Sequence, residues 1–236
     1  MSARRSRTLV LWDVDLTLVD LRGVGGTWYR EALSTVTGVD LVHTPSFAGR
    51  TERAITTDLL TTHGVAVTDE TITAMHEALA EVALREHGGL AEHGRALPGS
   101  AEVLAALAAQ DGVVQSVVTG NLVEIARYKL AAFGLDRHVD LTIGGYGVLS
   151  EHRPDLVTEA VRLAAAKHGE RFPPDSVVVV GDTPHDVAAA LHHGAVAVGV
   201  ATGRSSTGEL REAGAHVVLE DLSDTAAVVD ALLAAR

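Results

Sequence analysis

Val177-Val178-Val179-Val180-Gly181-Asp182-Thr183-Pro184-His185-Asp186 runs four valines into a glycine, an acid and the start of a helix. A continuous β-branched run suits a strand buried on both faces, as in a parallel sheet covered by helices. Thr183 can cap the helix, Pro184 fits its first position, and Asp186 suits the positive end of its dipole. None of this accounts for Asp182, directly behind the strand. In an open α/β sheet, ligands bind at the carboxyl ends of the strands, so an acid there points to a site.

Two other stretches repeat the pattern. Leu9-Val10-Leu11-Trp12 runs into Asp13-Val14-Asp15-Leu16-Thr17, and Val117-Val118 runs into Thr119-Gly120-Asn121. Three such strand ends gather Asp13, Asp15, Asp182 and Asp186 with Thr119 and Asn121 in one crevice. Crowded carboxylates repel unless a cation sits among them, and hard oxygen ligands suit Mg²⁺. Asp13 and Asp15 are two residues apart in an extended segment and point the same way. That pairing suits a nucleophile beside a general acid/base. Thr119, Gly120 and Asn121 can offer donors to a phosphate, although Asn121 also suits a helix N-cap. Arg153, just ahead of Pro154 and a helix, is favoured as the fixed cation over Lys129, which lies mid-helix.

Beyond Pro98, helices expected at 100–110, 122–133, 154–168, 184–193, 207–213 and 224–235 alternate with strands. The strands fall at 113–118, 139–143, 176–180, 196–200 and 216–219. With a first strand at 8–12, this predicts a doubly wound, Rossmann-like α/β core built from residues 1–20 and 96–236. Residues 21–95 carry helical segments at 27–37, 52–62 and 69–87 and no convincing strand. They read as a small helical domain inserted in the core, hinged at Gly23–Gly26 and near Gly94–Pro98.

Composition narrows the function. Of 236 residues 47% are hydrophobic but only 3% aromatic, so the core is aliphatic. A net charge of −12 argues against a nucleic-acid partner. The absence of cysteine excludes disulfides, zinc–thiolate sites and a thiol nucleophile. No apolar run reaches the ~18 residues a bilayer span needs. Met1–Arg7 reads as a basic tail, because the apolar stretch behind it is too short for an export signal. These features lead us to expect a cytoplasmic protein without membrane partners, monomeric or homodimeric.

Asp13-Val14-Asp15-Leu16-Thr17-Leu18-Val19-Asp20, Val118-Thr119-Gly120-Asn121, Arg153-Pro154 and Gly181-Asp182-x-x-x-Asp186 resemble four ordered motifs of one family. It is the haloacid dehalogenase-like (HAD) hydrolase superfamily. The helical insertion resembles that family's C1 cap, in the phosphoglycolate phosphatase-like branch. The resemblance makes Asp13 a nucleophile that forms an aspartyl-phosphate and Asp15 the general acid/base. Thr119 would bind the transferring phosphoryl group with Gly120 and Asn121, and Arg153 would stand at the cationic position. Mg²⁺ would be held by Asp13, the main-chain carbonyl of Asp15 and Asp182, with Asp186 nearby.

Asp15 further argues for phosphate esters over haloacids, because a halide leaves without a proton. Phe47-Ala48-Gly49-Arg50-Thr51-Glu52-Arg53 resembles a Gly-Arg-Thr turn of the branch, with Arg50 or Arg53 meeting an anionic substrate end. The function so implied is a Mg²⁺-dependent phosphatase acting on a small phosphorylated metabolite. The rivals are a phosphomutase of the β-phosphoglucomutase type and a binding or regulatory protein with a weakened site. Two positions depart from the family's pattern. Leu16 stands where Gly is frequent; an extended backbone would accept Leu there and a left-handed turn would not. Arg153 stands where Lys is commoner, keeping the charge and adding a bidentate fork.

Overall fold

Alternation along β1 (Thr8–Trp12) assigns each residue a side of the sheet. Val10 and Trp12 enter one apolar cluster while Leu9 and Leu11 enter another. The computed structural model describes residues 7–21 and 23–234. Of the expected basic tail only Arg7 lies among the described residues.

After β1 the chain forms β2 (Val19–Asp20), α1 (Val24–Thr37), α2 (Glu52–Thr62), α3 (Asp69–Glu86) and β3 (Arg95–Ala96). It continues with α4 (Ser100–Ala108), β4 (Val113–Thr119), α5 (Val123–Ala131), β5 (Gly145–Tyr146) and α6 (Arg153–His168). The last elements are β6 (Val177–Gly181), α7 (Pro184–His193), β7 (Val196–Val200), α8 (Thr207–Glu212), β8 (Val217–Leu219) and α9 (Thr225–Ala234).

Six strands form one parallel sheet in the order β5-β4-β1-β6-β7-β8. The chain winds outward from β1 in both directions, so β1 lies at the switch point where open α/β sheets bind ligands. The valines of β6 split between the two faces, 178 and 180 to one cluster, 177 and 179 to the other. Each is at most 2% exposed, contributing roughly 1.5–3 kcal/mol by burial. Trp12 and Gln115 bring polar atoms into this core and satisfy them. The indole Nε1 donates to Gln115 Oε1 at 3.2 Å, and Gln115 Nε2 donates to the Leu104 carbonyl at 2.9 Å.

Three helices, α1 to α3, lie in the segment between β2 and β3. Their apolar faces (Trp28, Leu33, Leu59, Met75 and Leu79 among them) join the cluster that also holds Val10 and Trp12. At the entrance, β2 and β3 pair antiparallel, with Val19 opposite Ala96 and Asp20 opposite Arg95. This two-residue ribbon was not expected, because strands this short leave no periodic trace.

Two other expectations change. The flexible joint expected over Gly23–Gly26 is mostly helix: Val24, Gly25 and Gly26 form the first turn of α1, while Gly23 takes φ 90°. The strand predicted over 139–143 does not form. Asp140 Oδ1 accepts from the Thr142 amide at 3.1 Å and turns the chain into a 3₁₀ helix at Leu141–Ile143. Pairing with β4 resumes only at Gly145–Tyr146.

Candidate active site

β1 is followed by Asp13, whose amide donates to the Val180 carbonyl of β6 at 2.8 Å. The carboxylate is thereby fixed beside the end of β6, where Asp182 follows Gly181. Asp186 folds back from the first turn of α7 in a capping box. Its Oδ2 accepts from the Thr183 amide at 3.1 Å and the Thr183 hydroxyl at 2.7 Å. A side chain at position 181 would collide with it, since a Cβ there would lie 2.2 Å from the Asp186 carboxyl carbon. Glycine between the valines and Asp182 is thus what lets the helix start press against the strand end.

Asp13, Asp182 and Asp186 are all buried, and an oxygen from each lies within 4.8 Å of the others. Among the described residues one cation bonds within this cluster. Arg153 Nη2 donates to Asp13 Oδ1 at 2.7 Å and meets Asp186 Oδ1 at 2.6 Å. Pro154, in the first turn of α6, helps start the helix from which the guanidinium reaches the strand ends. Burial pushes the Asp13 carboxyl up to about 7 against the pull of Arg153, with Asp186 and Asp15 adding to the rise. Burial likewise lifts Asp182 to about 8, helped by Asp13 and Asp186. Burial opposes the charge on Arg153, but Asp186 and Asp13 overcome it and hold the guanidinium above its usual range. Three carboxyl groups crowd around one guanidinium, so their full ionisation would leave negative charge in excess. Hard oxygen donors with excess negative charge fit a divalent cation of the Mg²⁺ type.

Asp15 lies outside that cluster. Its carboxylate accepts from Lys129 Nζ at 2.7 Å on both oxygens and from Asn121 Nδ2 at 2.7 Å. Lys129 also donates to Asn121 Oδ1 at 2.7 Å. Asn121 Nδ2 further donates to Thr119 Oγ1 at 2.7 Å, leaving the Thr119 hydroxyl proton free to donate elsewhere. The residue at the N-cap of α5 is Leu122, and Asn121 makes no side-chain cap. Its sequence reading as a cap is therefore replaced by a bridging role. Lys129, the weaker of the two sequence candidates for a cation, reaches the site as well. Mid-helix position did not exclude it, because a lysine stem spans more than a helix turn. Its spacing of eight residues from Asn121 is about two turns of helix, a signal that could have found it.

The segment 49–53 closes over the strand ends. The Glu52 amide donates to the Gly120 carbonyl at 2.8 Å and the Arg53 amide to the Gly147 carbonyl at 2.9 Å. A Cβ at Gly120 would meet the Arg50 carbonyl at 2.0 Å, and one at Gly147 would meet the Gly120 carbonyl at 1.8 Å. These two glycines permit the approach.

The two arginines expected to receive an anion are already occupied. Arg50 pairs with Asp58 at 2.8 Å and donates to the Ala54 carbonyl at 2.9 Å. Arg53 pairs with Asp69 at 2.6 Å. A cleft of about 480 Å³ between Gly49–Ala54, the start of α6 and the length of α7 touches Arg153 but none of Asp13, Asp15, Asp182 and Asp186. It adjoins the centre and is not the centre itself. Leu16 adopts φ 61°, against the expectation that a leucine here needs extended backbone. Its amide donates to the Val19 carbonyl at 2.7 Å and its carbonyl accepts from Thr202 Oγ1 at 2.6 Å. These two bonds hold the turn that carries Asp15 back toward β2.

Known proteins share this frame. The chain is 32% identical over 140 residues to the probable phosphatase IndB of Dickeya dadantii. That alignment covers 59% of this chain and 58% of the relative, so the chain spans little more than half of it. A hydrolase from Pseudomonas syringae is similar in structure, with a TM-score of 0.66, 27% identity and 95% of this chain and 98% of the other covered. A predicted phosphoglycolate phosphatase from Haemophilus somnus superposes with a TM-score of 0.65 at 20% identity, over 96% and 99% of the two chains. Among the described residues no helix is long and apolar enough to cross a membrane. Residues 10–191, which include both carboxylate groups and both cations, match the haloacid dehalogenase-like hydrolases, and the chain belongs to that family.

Proposed function

We propose that the protein is a Mg²⁺-dependent phosphatase that hydrolyses a small phosphate monoester through an aspartyl-phosphate on Asp13. One observation carries this reading. Two aspartates only two residues apart have opposite surroundings, Asp13 sealed beneath Arg153 and Asp15 half-open on Lys129. Divided environments of this kind suit divided roles.

An Asp13 oxygen attacks phosphorus and the bond to the leaving oxygen breaks. Asp15, steered by Lys129 and Asn121, delivers a proton to that oxygen. Asp15 then withdraws a proton from the water that attacks phospho-Asp13, releasing inorganic phosphate and restoring the carboxylate. Thr119 donates its hydroxyl proton to a phosphoryl oxygen, with the backbone of Gly120 beside it, and Arg153 neutralises charge. Asp13, the carbonyl of Asp15 and Asp182 would hold the metal, with Asp186 bracing the position through Thr183 and Arg153. Bound there, Mg²⁺ would screen the nucleophile from the phosphate it attacks. Residues 21–95 act as a cap over this chemistry, excluding water from the reacting atoms.

Phosphate release from p-nitrophenyl phosphate and a set of small phosphate esters tests the reading, with Mg²⁺, with EDTA and with Asp13→Asn. Metal-dependent release that falls by more than about 10⁴-fold in the variant is expected. Release by Asp13→Asn near the wild-type rate would remove Asp13 as nucleophile. Isomerised substrate without net phosphate would mark a mutase instead.

A further inference from the structure

Three of the twelve histidines, His152, His185 and His192, line the cleft beside Arg153 and take no part in the chemistry above. His152 is the N-cap residue of α6 and makes no side-chain cap, and His185 lies in the first turn of α7. A basic residue gains nothing from the positive end of a helix dipole, so helix electrostatics give no reason for either. His192, in the last turn of α7, meets His152 with ring centroids 6.0 Å apart and planes at 80°. The nitrogens of both rings have no hydrogen-bond partner among the described residues. His185 lies seven residues before His192, about 10 Å along the helix axis, so it lines the same cleft without reaching the pair.

The His43–His63 pair shows what a closed pair looks like. Its centroids are 6.3 Å apart, but His63 Nε2 accepts from the Val42 amide at 3.0 Å and Nδ1 donates to the Leu59 carbonyl at 2.8 Å. No lone pair is left on His63, whereas His152 and His192 keep theirs. An ion held about 2.0–2.1 Å from an imidazole nitrogen lies about 3 Å from the ring centre, so two rings on one tetrahedral ion have centres about 5 Å apart. A small side-chain rotation brings the observed 6.0 Å to that spacing. Imidazole suits Zn²⁺, Cu²⁺ and Ni²⁺ where carboxylate oxygens suit Mg²⁺, so this pair and the aspartate centre take different ions. The charge around the cleft permits a cation. Its two arginines are already paired, Arg50 with Asp58 and Arg153 with Asp13 and Asp186, and Glu151 adds a carboxylate to the lining. Among the described residues the aspartate trio is the one group of three donors already gathered, so water completes the coordination here.

We propose that His152 and His192 form a second metal site, for an ion of the Zn²⁺ type, that ties α6 to α7. His152 directly precedes Arg153, and His192 shares a helix with Asp186. An ion between them would brace the two elements that bring Arg153 and Asp186 together at 2.6 Å. The site does not rest on the phosphatase reading, and its test reads binding and stability.

Calorimetric titration of the metal-free protein with Zn²⁺ tests it, in the wild type, Asp182→Asn, His152→Gln, His192→Gln and His193→Gln. Asp182→Asn removes a donor from the carboxylate centre and so reports any Zn²⁺ held there. His193 is turned about 100° round the helix from His192, which makes its variant the control. His152 and His192 are exposed, so their replacement leaves the fold intact. One Zn²⁺ per chain is expected to survive Asp182→Asn, to bind about tenfold or more weakly in His152→Gln and in His192→Gln, and to be unchanged in His193→Gln. Zn²⁺ is also expected to raise the Tm of Asp182→Asn, and to lose that effect when His192→Gln is added. Zn²⁺ binding abolished by Asp182→Asn would leave only the carboxylate centre, and equal weakening in all three histidine variants would mark diffuse binding by surface histidines. Either result, or a titration unmoved by His152→Gln or by His192→Gln, would overturn the proposal.

Discussion

Arg153 and Lys129 each bind an aspartate of the same strand end, yet the two pairs are built differently. Around Arg153 the side chains of Asp13 and Asp186 are 9% and 2% exposed, and the guanidinium itself is 6% exposed. Around Lys129 the ammonium is 14% exposed and Asp15 43%. The first pair is a fixed charge in a dry place, where a missing partner leaves an uncompensated ion. The second sits at the edge of the cleft, where water screens the charges and the groups can exchange partners during a reaction. On the proposed reading, the difference separates the half that would hold the phosphoryl group from the half that would handle protons.

The largest effect expected from breaking the second pair is catalytic. Asp15→Ala should cost about 10²–10⁴-fold in kcat on an alkyl phosphate, as loss of a general acid/base does. The loss should be much smaller on p-nitrophenyl phosphate, whose leaving group departs without a proton. Equal losses on both esters would take the proton-transfer role away from Asp15.

Stability separates the pairs in the opposite direction. Arg153→Ala strands Asp13 and Asp186 and should cost roughly 3–5 kcal/mol in urea unfolding. Lys129→Ala, at the screened edge, should cost less than about 1 kcal/mol. Similar costs for the two would erase the distinction between buried and edge charge.

Protons sharpen the same contrast. Asp13 and Asp182 are raised to about 7 and about 8 from an ordinary 3.8. In the metal-free protein the folded state therefore holds more protons than the unfolded state between about pH 4 and 8. Stability then falls as pH rises through that window. Glu52, raised to about 7 mainly by burial, acts in the same direction. His76, lowered to about 4 by burial and Arg53, acts in the opposite direction, losing stability as pH falls below 6.5. The clean interval is therefore pH 6.5–8.5. There the metal-free Tm should fall with rising pH, and the Tm gain on adding Mg²⁺ should grow, because binding displaces protons from the carboxylates. The change is on the order of 1–2 kcal/mol. A Mg²⁺ effect independent of pH would place the metal away from Asp13 and Asp182.

The buried half was also the more legible half in the sequence. Four valines before Asp182, and Leu9–Trp12 before Asp13, announce strands whose ends must meet in a parallel sheet, and the sheet brings those ends together. The edge half depends on side chains that reach across helices. Lys129 meets Asp15 over 114 positions of sequence, and only its two-turn spacing from Asn121 hints locally that it reaches the site. Glu52 offers no such hint, since no local pattern encodes its meetings with Tyr29 and Gly120. Strand 139–143 failed for a local reason, since the Asp140 turn outcompetes pairing at the sheet edge.

Leu16 offers the smallest effect and bears on how Asp15 is aimed. It is the one described non-glycine residue with positive φ, at 61°, and a left-handed L-residue costs roughly 1–2 kcal/mol. Bonds from its amide to Val19 and from Thr202 to its carbonyl hold it there. Leu16→Gly would relieve the backbone but lose a half-buried side chain and add freedom to the unfolded chain. These terms nearly cancel, so its stability should stay within about 1 kcal/mol of wild type. Leu16→Ile keeps the volume and adds a branch next to the backbone, where left-handed geometry tolerates it least, so it should cost about 1–2 kcal/mol. Urea unfolding of the two variants checks the order. An isoleucine tolerated as well as glycine would mean that the turn is not strained. The position of Asp15 would then owe more to Lys129 and Asn121 than to the backbone beneath it.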